Sequence, residues 1–234
     1  MKSKTNGFSF GGAPLPRANV LVIGAHPDDA EFGCGGLLAS LAGSGAKLAI
    51  CVVSGGALGG SPAVREREAK AAAESLGARL IWCDLPDTRI RLRPAIRAIE
   101  SSVAEFDPDL ILVHSPRDTH QDHRVVTRAT LSASRQISNV LYYEGPSSRQ
   151  FAPSAYFDIG PVMNHKLELI RRHRSQLERG SFEDWTVRTA SYRGLQAKPR
   201  CEWAEGFYVA RQRLCAATFA TSDCRIHVLD EAAA

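Results

Sequence analysis

Short apolar runs alternate along the chain with segments in which apolar positions recur at helical spacing. Five runs are apolar at almost every position, and in chain order they read NVLVIGA, KLAICVVSGG, RLIWCDL, DPDLILVHS and NVLYYEG. Strands that are buried on both faces belong to parallel sheets with helices on each side. The pattern therefore predicts an α/β fold of the Rossmann-like, doubly wound type, with a mostly parallel sheet and helices on both faces.

The intervening segments predict helices. GCGGLLASLAGSG follows the first strand, and AVREREAKAAAESLG, which is rich in alanine, follows the second. Two more helices are expected, from about Pro94 to Phe106 and from about His123. Beyond the fifth strand the pattern predicts a short strand, AYFDI, then a basic helix and a less regular segment that ends near EGFYVARQR.

Length and charge limit the organisation and the class of partner. The chain has 234 residues, and we expect a single domain over 19–213, a flexible N-terminal segment over 1–18 and a C-terminal tail over 214–234. The net charge is +4, and its densest basic run, Lys166–Arg179, has the interleaved leucines of a solvated helix face. Neither a bilayer-spanning segment nor a secretion signal is evident. We therefore expect a cytoplasmic protein that binds a small molecule and binds neither nucleic acid nor a membrane. The sequence leaves open whether the chain forms a homo-oligomer.

The six cysteines are far apart and form no CxxC pair. Two of them, Cys51 and Cys83, fall in predicted strands. This distribution favours buried free thiols over disulfides or a cysteine metal site.

Two loops at the carboxyl ends of predicted strands carry most of the candidate chemistry. In open parallel sheets the binding crevice lies beyond these strand ends. AHPDDAE follows the first strand, and HSPRDTHQDH begins at the end of the fourth. Together the loops contain four of the seven histidines and five acids: His26, His114, His120, His123, Asp28, Asp29, Glu31, Asp118 and Asp122.

Each loop alone has an ordinary structural explanation. Acids after Pro27 can satisfy the free amides of a helix start, and the second loop can be a polar surface turn. Three acids crowded beside a histidine nevertheless repel one another unless a positive group lies among them, and they exclude a nucleotide phosphate. Catalytic zinc takes three imidazole or carboxylate ligands and a water, so the two loops together predict a divalent-cation site. Two ligands would come from the first loop and one from the second.

The same residues resemble the two signature motifs of the PIG-L (LmbE-like) family of zinc-dependent deacetylases, which remove N-acetyl groups from amino sugars and sugar conjugates. Further segments extend the resemblance over most of Val20–Arg211: REREAKAAAESLGA, DLPDTRI, FDIG, HKLELIRRHRSQ and AEGFYV. Thr119 and Gln121 depart from the glycine and proline often found in the second motif. These departures bear on substrate specificity more than on metal binding.

The resemblance implies a role for each matching residue. His26, Asp29 and His123 would hold a zinc ion, or iron or another divalent ion in cells. Asp28 matches the general base, which takes a proton from the attacking water. His120 matches the general acid and oxyanion stabiliser.

Further candidates are less specific. Asp122 would orient His120 or raise its pKa. Arg65 matches a position that contacts the substrate sugar, although a surface ion pair with Glu68 also explains it, and Asp87 is a candidate for contact with a substrate hydroxyl. For three residues the sequence leaves open whether the role is structural or in the wall of the pocket: His114, His173 and Glu205.

The resemblance implies a metal-dependent hydrolase that removes an N-acetyl group from an amino sugar or sugar conjugate in small-molecule biosynthesis. One alternative keeps the metal and changes the bond to another amide or an ester. A more distant alternative is a non-catalytic α/β module that binds a nucleotide or a partner protein and holds no metal.

Overall fold

The structure, a computed structural model, describes residues 9–10, 13–14, 18–178, 180–197 and 200–213. Two short antiparallel strands come first, β1 (Ser9–Phe10) and β2 (Ala13–Pro14). The strands of the main sheet are β3 (Asn19–Gly24), β4 (Lys47–Val52), β5 (Arg79–Trp82), β6 (Leu110–His114), β7 (Val140–Tyr143), β8 (Ala155–Asp158) and β9 (Ala204–Arg211). The α-helices are α1 (Asp29–Ala42), α2 (Pro62–Ser75), α3 (Leu92–Phe106), α4 (Gln121–Ala133), α5 (Met163–Arg171), α6 (Arg174–Leu177) and α7 (Phe182–Ala197).

The main sheet is mostly parallel, with the strand order β5-β4-β3-β6-β7-β9-β8. The first five strands in this order run parallel, and β9 pairs antiparallel with both β7 and β8. This architecture confirms the predicted fold class. The chain builds the sheet outward from β3 in one direction and then from β6 in the other, so the crevice of a doubly wound fold opens between these two strands.

Successive residues of the central strands face opposite layers. Every residue of β3 from Val20 to Gly24 is buried. Val20 packs in one core with Leu38 of α1, whereas Leu21 packs in the other core with Ile99 of α3. The continuous apolar strands are therefore the consequence of two covered faces.

The segment after β8 is more regular than the sequence predicts. The predicted basic helix is two helices, α5 and α6, which are separated at His173. The segment predicted to be less regular contains α7 and β9, so this prediction was wrong. The pattern of α7 gives little signal because its buried residues are small or polar: Thr186, Ala190, Arg193 and Gly194.

Helix α1 begins at Asp29, before the glycine run that was predicted to open it. The glycines of this run allow close packing. A Cβ on Gly33 would lie 2.1 Å from Tyr143 Cδ2, and a Cβ on Gly36 would lie 2.5 Å from Ile159 Cγ2. Helix packing therefore accounts for glycine at these two positions.

A break in α1 explains the role of Glu205, which the sequence left open. Cys34 has non-helical backbone angles (φ −147°, ψ 22°). Beyond it, the amides of Gly36 and Leu37 donate to the Glu205 carboxylate at 2.7 and 2.8 Å. Lys166 Nζ donates to the same carboxylate. Glu205 thus caps the second half of α1 from β9, and its role is structural.

Other predictions concern parts of the chain that are only partly described. Most of the predicted N-terminal segment and all of the C-terminal tail lie outside the described residues. Four cysteines are described, and all are free thiols: Cys34, Cys51, Cys83 and Cys201. The first two are buried and the other two are partly exposed. Among the described helices, none has the length and apolarity that crossing a bilayer requires.

Candidate metal centre

The two loops with histidines and acids meet at neighbouring strand ends. Ile23 of β3 pairs with Val113 of β6, so the carboxyl ends of the two strands lie side by side. The loop after β3 carries His26 and leads into α1, and the loop after β6 leads into α4. His123 lies in the first turn of α4. The topology therefore brings the predicted ligands together.

Asp29 lies between the two predicted imidazole ligands. Its Oδ1 is 3.4 Å from His123 Nε2, and its Oδ2 is 3.7 Å from His26 Nδ1. The backbone amide of His26 donates to the same Oδ2 at 2.7 Å, which fixes the carboxylate. Burial would raise the pKa of Asp29, but the charges of His123, His114 and His26 hold it well below its usual value. Asp29 is therefore ionised.

Each predicted imidazole ligand has one ring nitrogen that faces away from Asp29, here called the outer nitrogen, and this nitrogen contacts a carboxylate. His26 Nε2 is 3.1 Å from Asp87 Oδ1 and 3.3 Å from Asp122 Oδ2. His123 Nδ1 is 3.2 Å from Asp118 Oδ2. Burial alone would lower the pKa of His26, but hydrogen bonds to its two carboxylates help to raise it to about 10. Burial also opposes ionisation of Asp118, yet its contact with His123 lowers its pKa to about 2.

This donor set fits a divalent metal ion. Each imidazole presents one nitrogen to Asp29 and the other to a carboxylate, which is the usual surrounding of a metal-bound histidine. Imidazole and carboxylate are also the ligands of catalytic zinc. Within the described residues, three groups have ligand atoms within 4.8 Å of one another, and none of them is the full predicted set of His26, Asp29 and His123. The groups are His26, His120 and His123; Asp29, His114 and His123; and His26, Asp87 and Asp122.

Asp28 precedes Asp29, and its side chain does not cap helix α1. It occupies the N-cap position of α1 with φ 99° and ψ −25°, a left-handed conformation that is uncommon for a residue with a side chain. Among the described residues, its side chain makes no capping hydrogen bond. Burial and the charge of Asp29 raise the pKa of Asp28 to about 7, against the opposing charge of Arg65. A carboxyl group with this pKa can take up a proton near neutral pH.

His120 and Asp122 lie at the start of α4. His120 is the N-cap residue, and its Nδ1 accepts a hydrogen bond from the Asp122 amide at 3.3 Å. Burial and the charges of His123 and His26 lower the pKa of His120. Both effects favour neutral His120 with its proton on Nε2. The Asp122 carboxylate contacts His26 and accepts from the Thr88 amide at 2.7 Å, so it is the backbone of Asp122 that contacts His120.

Arg65 is buried in the wall of the site with 4% of its surface exposed. Its guanidinium donates to the carbonyls of Pro27 at 2.7 Å and Gly56 at 2.9 Å, and Nη2 is 3.5 Å from Asp28 Oδ2. Gly56 has φ +65°, and a Cβ there would lie 2.0 Å from Arg65 Nη1. The alternative of a surface ion pair with Glu68 is wrong, because Glu68 instead accepts hydrogen bonds from α6.

A cavity of about 320 Å³ opens onto these side chains, a size typical of small-molecule sites. Asp87 lies in its wall. Asp87 Oδ1 contacts His26, and Oδ2 accepts from the Leu58 amide at 2.7 Å. The lining residues are mostly polar: His26, Asp28, Leu58, Gly59, Arg65, Asp87, Thr88, His120 and Gln176.

Two histidines without an assigned role are buried around the centre. His114 is 1% exposed; its Nε2 accepts from the Ala25 amide at 3.0 Å and lies 3.2 Å from Asp29 Oδ2. His173 is equally buried, and its Nε2 is 3.4 Å from Glu31 Oε1. Both therefore belong to the packing around the acids of the first loop.

Two further residues of the centre are absent from the sequence prediction. Thr88 contributes its amide to Asp122 from the loop after β5. Ser147 Oγ is 3.3 Å from His123 Nδ1, in a loop that a β-bridge between Asp118 and Ser148 joins to the second motif. Thr88 lies in the DLPDTRI segment and Ser147 in none of the quoted segments, but nothing local predicts their contacts, because only the tertiary fold brings these loops together.

Comparisons with known proteins give a family model and several relatives. The model described as PIG-L: GlcNAc-PI de-N-acetylase matches residues 21–134. The Escherichia coli (strain K12) protein named uncharacterized deacetylase YaiS is 34% identical over 170 residues, which cover 68% of this chain and 92% of the relative. The diacetylchitobiose deacetylase of Thermococcus kodakarensis is 29% identical over 219 residues, which cover 80% and 81%.

Solved structures share the fold. The conserved protein TT1542 from Thermus thermophilus superposes with a TM-score of 0.77 and 24% identity, covering 85% of this chain and 97% of that one. The 4-carboxy-2-hydroxymuconate hydratase GalB from Pseudomonas putida KT2440 superposes with a TM-score of 0.75 and 24% identity, covering 84% and 97%. At these identities the likeness establishes the fold and not the reaction.

Proposed function

The chain belongs to the PIG-L family of deacetylases, and we propose that it is a zinc-dependent hydrolase of the acetamide in an N-acetylated amino sugar or sugar conjugate. The observation that carries the proposal is the surrounding of Asp29. Two imidazoles present one nitrogen each to this ionised carboxylate, and other carboxylates contact their outer nitrogens. In this proposal His26, Asp29 and His123 hold the ion and leave a position for water.

The chain's own residues would move the protons of the reaction. When bound, zinc supplies a water of lowered pKa and polarises the acetamide carbonyl. Asp28, with a pKa of about 7 in the chain without metal, takes a proton from the attacking water. His120 donates a hydrogen bond from Nε2 to the oxyanion that develops on the carbonyl oxygen.

Return of a proton to the leaving amine is the second step that needs a side chain, and we assign it to protonated His120. His120 takes up its second proton from solvent before the reaction, and burial and the charges of His123 and His26 disfavour the charged ring. The Nε2 proton therefore passes readily to the amine nitrogen as the C–N bond breaks, and the proton taken by Asp28 returns to solvent. The products are acetate and the free amine.

The cavity wall suits a polyhydroxylated ring. Arg65 Nε has no hydrogen-bond partner within the described part of the chain. The Asp87 carboxylate contacts His26 and the Leu58 amide, but two oxygens have about four lone-pair sites and can accept further bonds from substrate hydroxyls. We therefore propose Arg65 and Asp87 as sugar-contacting residues. The relative named diacetylchitobiose deacetylase supports this substrate class.

Metal analysis combined with a substrate panel tests the proposal. The panel contains N-acetylglucosamine, diacetylchitobiose, N-acetylglucosaminides with neutral and acidic aglycones, aminoglycoside precursors, simple esters and 4-carboxy-2-hydroxymuconate. We expect bound zinc and equal amounts of acetate and free amine from at least one N-acetyl sugar. Metal with ester cleavage or hydration alone would indicate another reaction at the same centre, and absence of metal would favour a non-catalytic module.

A further inference from the structure

Asp118 is a buried carboxylate that the reaction above does not use. It lies in the loop after β6, and its side chain is 0% exposed. Oδ1 accepts a hydrogen bond from the His120 amide at 2.8 Å, and Oδ2 is 3.2 Å from His123 Nδ1. One carboxylate therefore contacts both His120 and His123.

We propose that Asp118 is a positioning residue that keeps the proton of His123 on Nδ1 and sets the position of His120. The inference rests on the proposed role of His123 as a metal ligand. A neutral imidazole carries one proton, and it binds metal through the nitrogen without it. A proton on Nδ1 leaves the lone pair on Nε2, and Nε2 is the nitrogen that lies 3.4 Å from Asp29 Oδ1.

The chemistry of the neighbours assigns this function to Asp118 rather than to Ser147. Ser147 Oγ is 3.3 Å from the same nitrogen of His123. A hydroxyl both donates and accepts, so it is compatible with a proton on either nitrogen of the ring. An ionised carboxylate only accepts, so it stabilises the ring solely when Nδ1 carries the proton.

The second contact of Asp118 fixes the backbone at the start of α4. The bond from the His120 amide spans two residues and forms a turn of the type that aspartate favours. The bridge to Ser148, whose hydroxyl donates to Asp118 Oδ2 at 3.4 Å, ties this turn to the loop after β7. The same carboxylate thus sets the spacing between the metal ligand and the proposed acid.

Metal affinity tests this inference without a substrate. Zn²⁺ binding to the full chain is measured by competition with a chromophoric chelator, and the absorption spectrum of the Co²⁺ form reports the ligand geometry. The variants are Asp118→Asn, Asp118→Ala and Ser147→Ala. Asp84→Asn is the matched control, because Asp84 is exposed and its φ of +50° is one that asparagine tolerates.

We expect Asp118→Asn and Asp118→Ala to lower the Zn²⁺ affinity about 10- to 100-fold and to change the Co²⁺ spectrum. Ser147→Ala should lower it much less, and Asp84→Asn should match the wild type. Urea unfolding of each variant separates positioning from folding. An altered unfolding midpoint with wild-type affinity and spectrum in both Asp118 variants would overturn the inference.

The outcomes also separate this inference from the proposed function. A wild-type chain that binds no Zn²⁺ would overturn the metal role of His123 and the hydrolase proposal with it. Tight binding by the wild type with equal affinity in Asp118→Asn would overturn only the role of Asp118. An equal loss in Ser147→Ala and Asp118→Asn would show that the carboxylate does not select the tautomer.

Discussion

Two adjacent carboxylates of the first loop have different electrostatic surroundings. Asp29 is buried, and 12% of the Asp28 side chain is exposed. Asp29 lies among imidazoles that keep its pKa low, whereas the pKa of Asp28 rises to about 7. Asp28 has a left-handed backbone conformation. Its carboxylate contacts Arg65 at 3.5 Å. Neighbouring acids with separated pKa values are suited to separate roles, which here are those of the proposed ligand and the proposed base.

Substitution of Asp28 should separate chemistry from metal binding. Asp28→Asn removes the proposed base, and asparagine tolerates the left-handed backbone that this position requires. We expect kcat to fall by about 10²- to 10⁴-fold with metal content unchanged. Acetate release and metal analysis on the same preparation provide the measurement.

His123→Ala is the matched comparison, because it removes a proposed ligand. We expect this variant to lose both metal and activity. Equal metal content in wild type and His123→Ala would contradict the ligand assignment, and full activity in Asp28→Asn would contradict the assignment of the base.

Metal affinity should depend steeply on pH. Despite burial, the carboxylates around His26 raise its pKa to about 10, and the pKa of His123 is also raised above its usual value. At pH 6–8 a metal ion must therefore displace a proton from His26, and from the protonated fraction of His123. We expect the apparent affinity to rise as pH rises, by about tenfold per pH unit for each proton displaced. Chelator competition at pH 6, 7 and 8 measures this slope, and a zero slope would show that the rings bind no metal.

At the scale of elements, local pattern predicted the parallel core and missed the closing segments. Local sequence predicts the five parallel strands because both of their faces are buried: β3, β4, β5, β6 and β7. Insertion of β9 between β7 and β8 depends on a long-range pairing that no local pattern specifies. The two motif loops follow strands that local sequence predicts, so their positions are also predicted correctly. The contacts of Thr88 and Ser147 arise only from the tertiary fold.

The break in α1 gives a prediction about stability. The Glu205 carboxylate accepts the amides of Gly36 and Leu37, and it pairs with Lys166; each side chain of this pair is 4% exposed. Glu205→Ala leaves a buried ammonium group without its counter-charge and two amides without an acceptor. We expect it to lower the free energy of unfolding by about 3–5 kcal/mol in urea.

Two other variants calibrate this measurement. Glu205→Gln keeps an acceptor oxygen and should cost less than Glu205→Ala. Glu66→Ala, at an exposed position of α2, should change the free energy of unfolding by no more than about 0.5 kcal/mol. If Glu205→Ala were as stable as Glu66→Ala, the capping role of Glu205 would be wrong.

At the scale of the whole molecule, the proposed metal centre joins parts of the chain that are distant in sequence. The loops after β3 and β6 supply the proposed ligands, and the loop after β5 supplies Asp87 to the outer nitrogen of His26. These loops meet only when the sheet has formed, so the complete ligand set belongs to the folded state. A ligand that binds only this state stabilises it by mass action.

Metal should therefore raise the stability of the whole domain. At a free Zn²⁺ concentration 100 times the dissociation constant, we expect the free energy of unfolding to increase by about 2.7 kcal/mol over the value in chelator. Asp28→Asn should show the same increase, and His123→Ala should show almost none. Identical urea midpoints of the wild type in zinc and in chelator would contradict the proposed centre. An increase that is lost in His123→Ala and kept in Asp28→Asn would show that the cation links the strand ends whether or not the proposed proton transfer can take place.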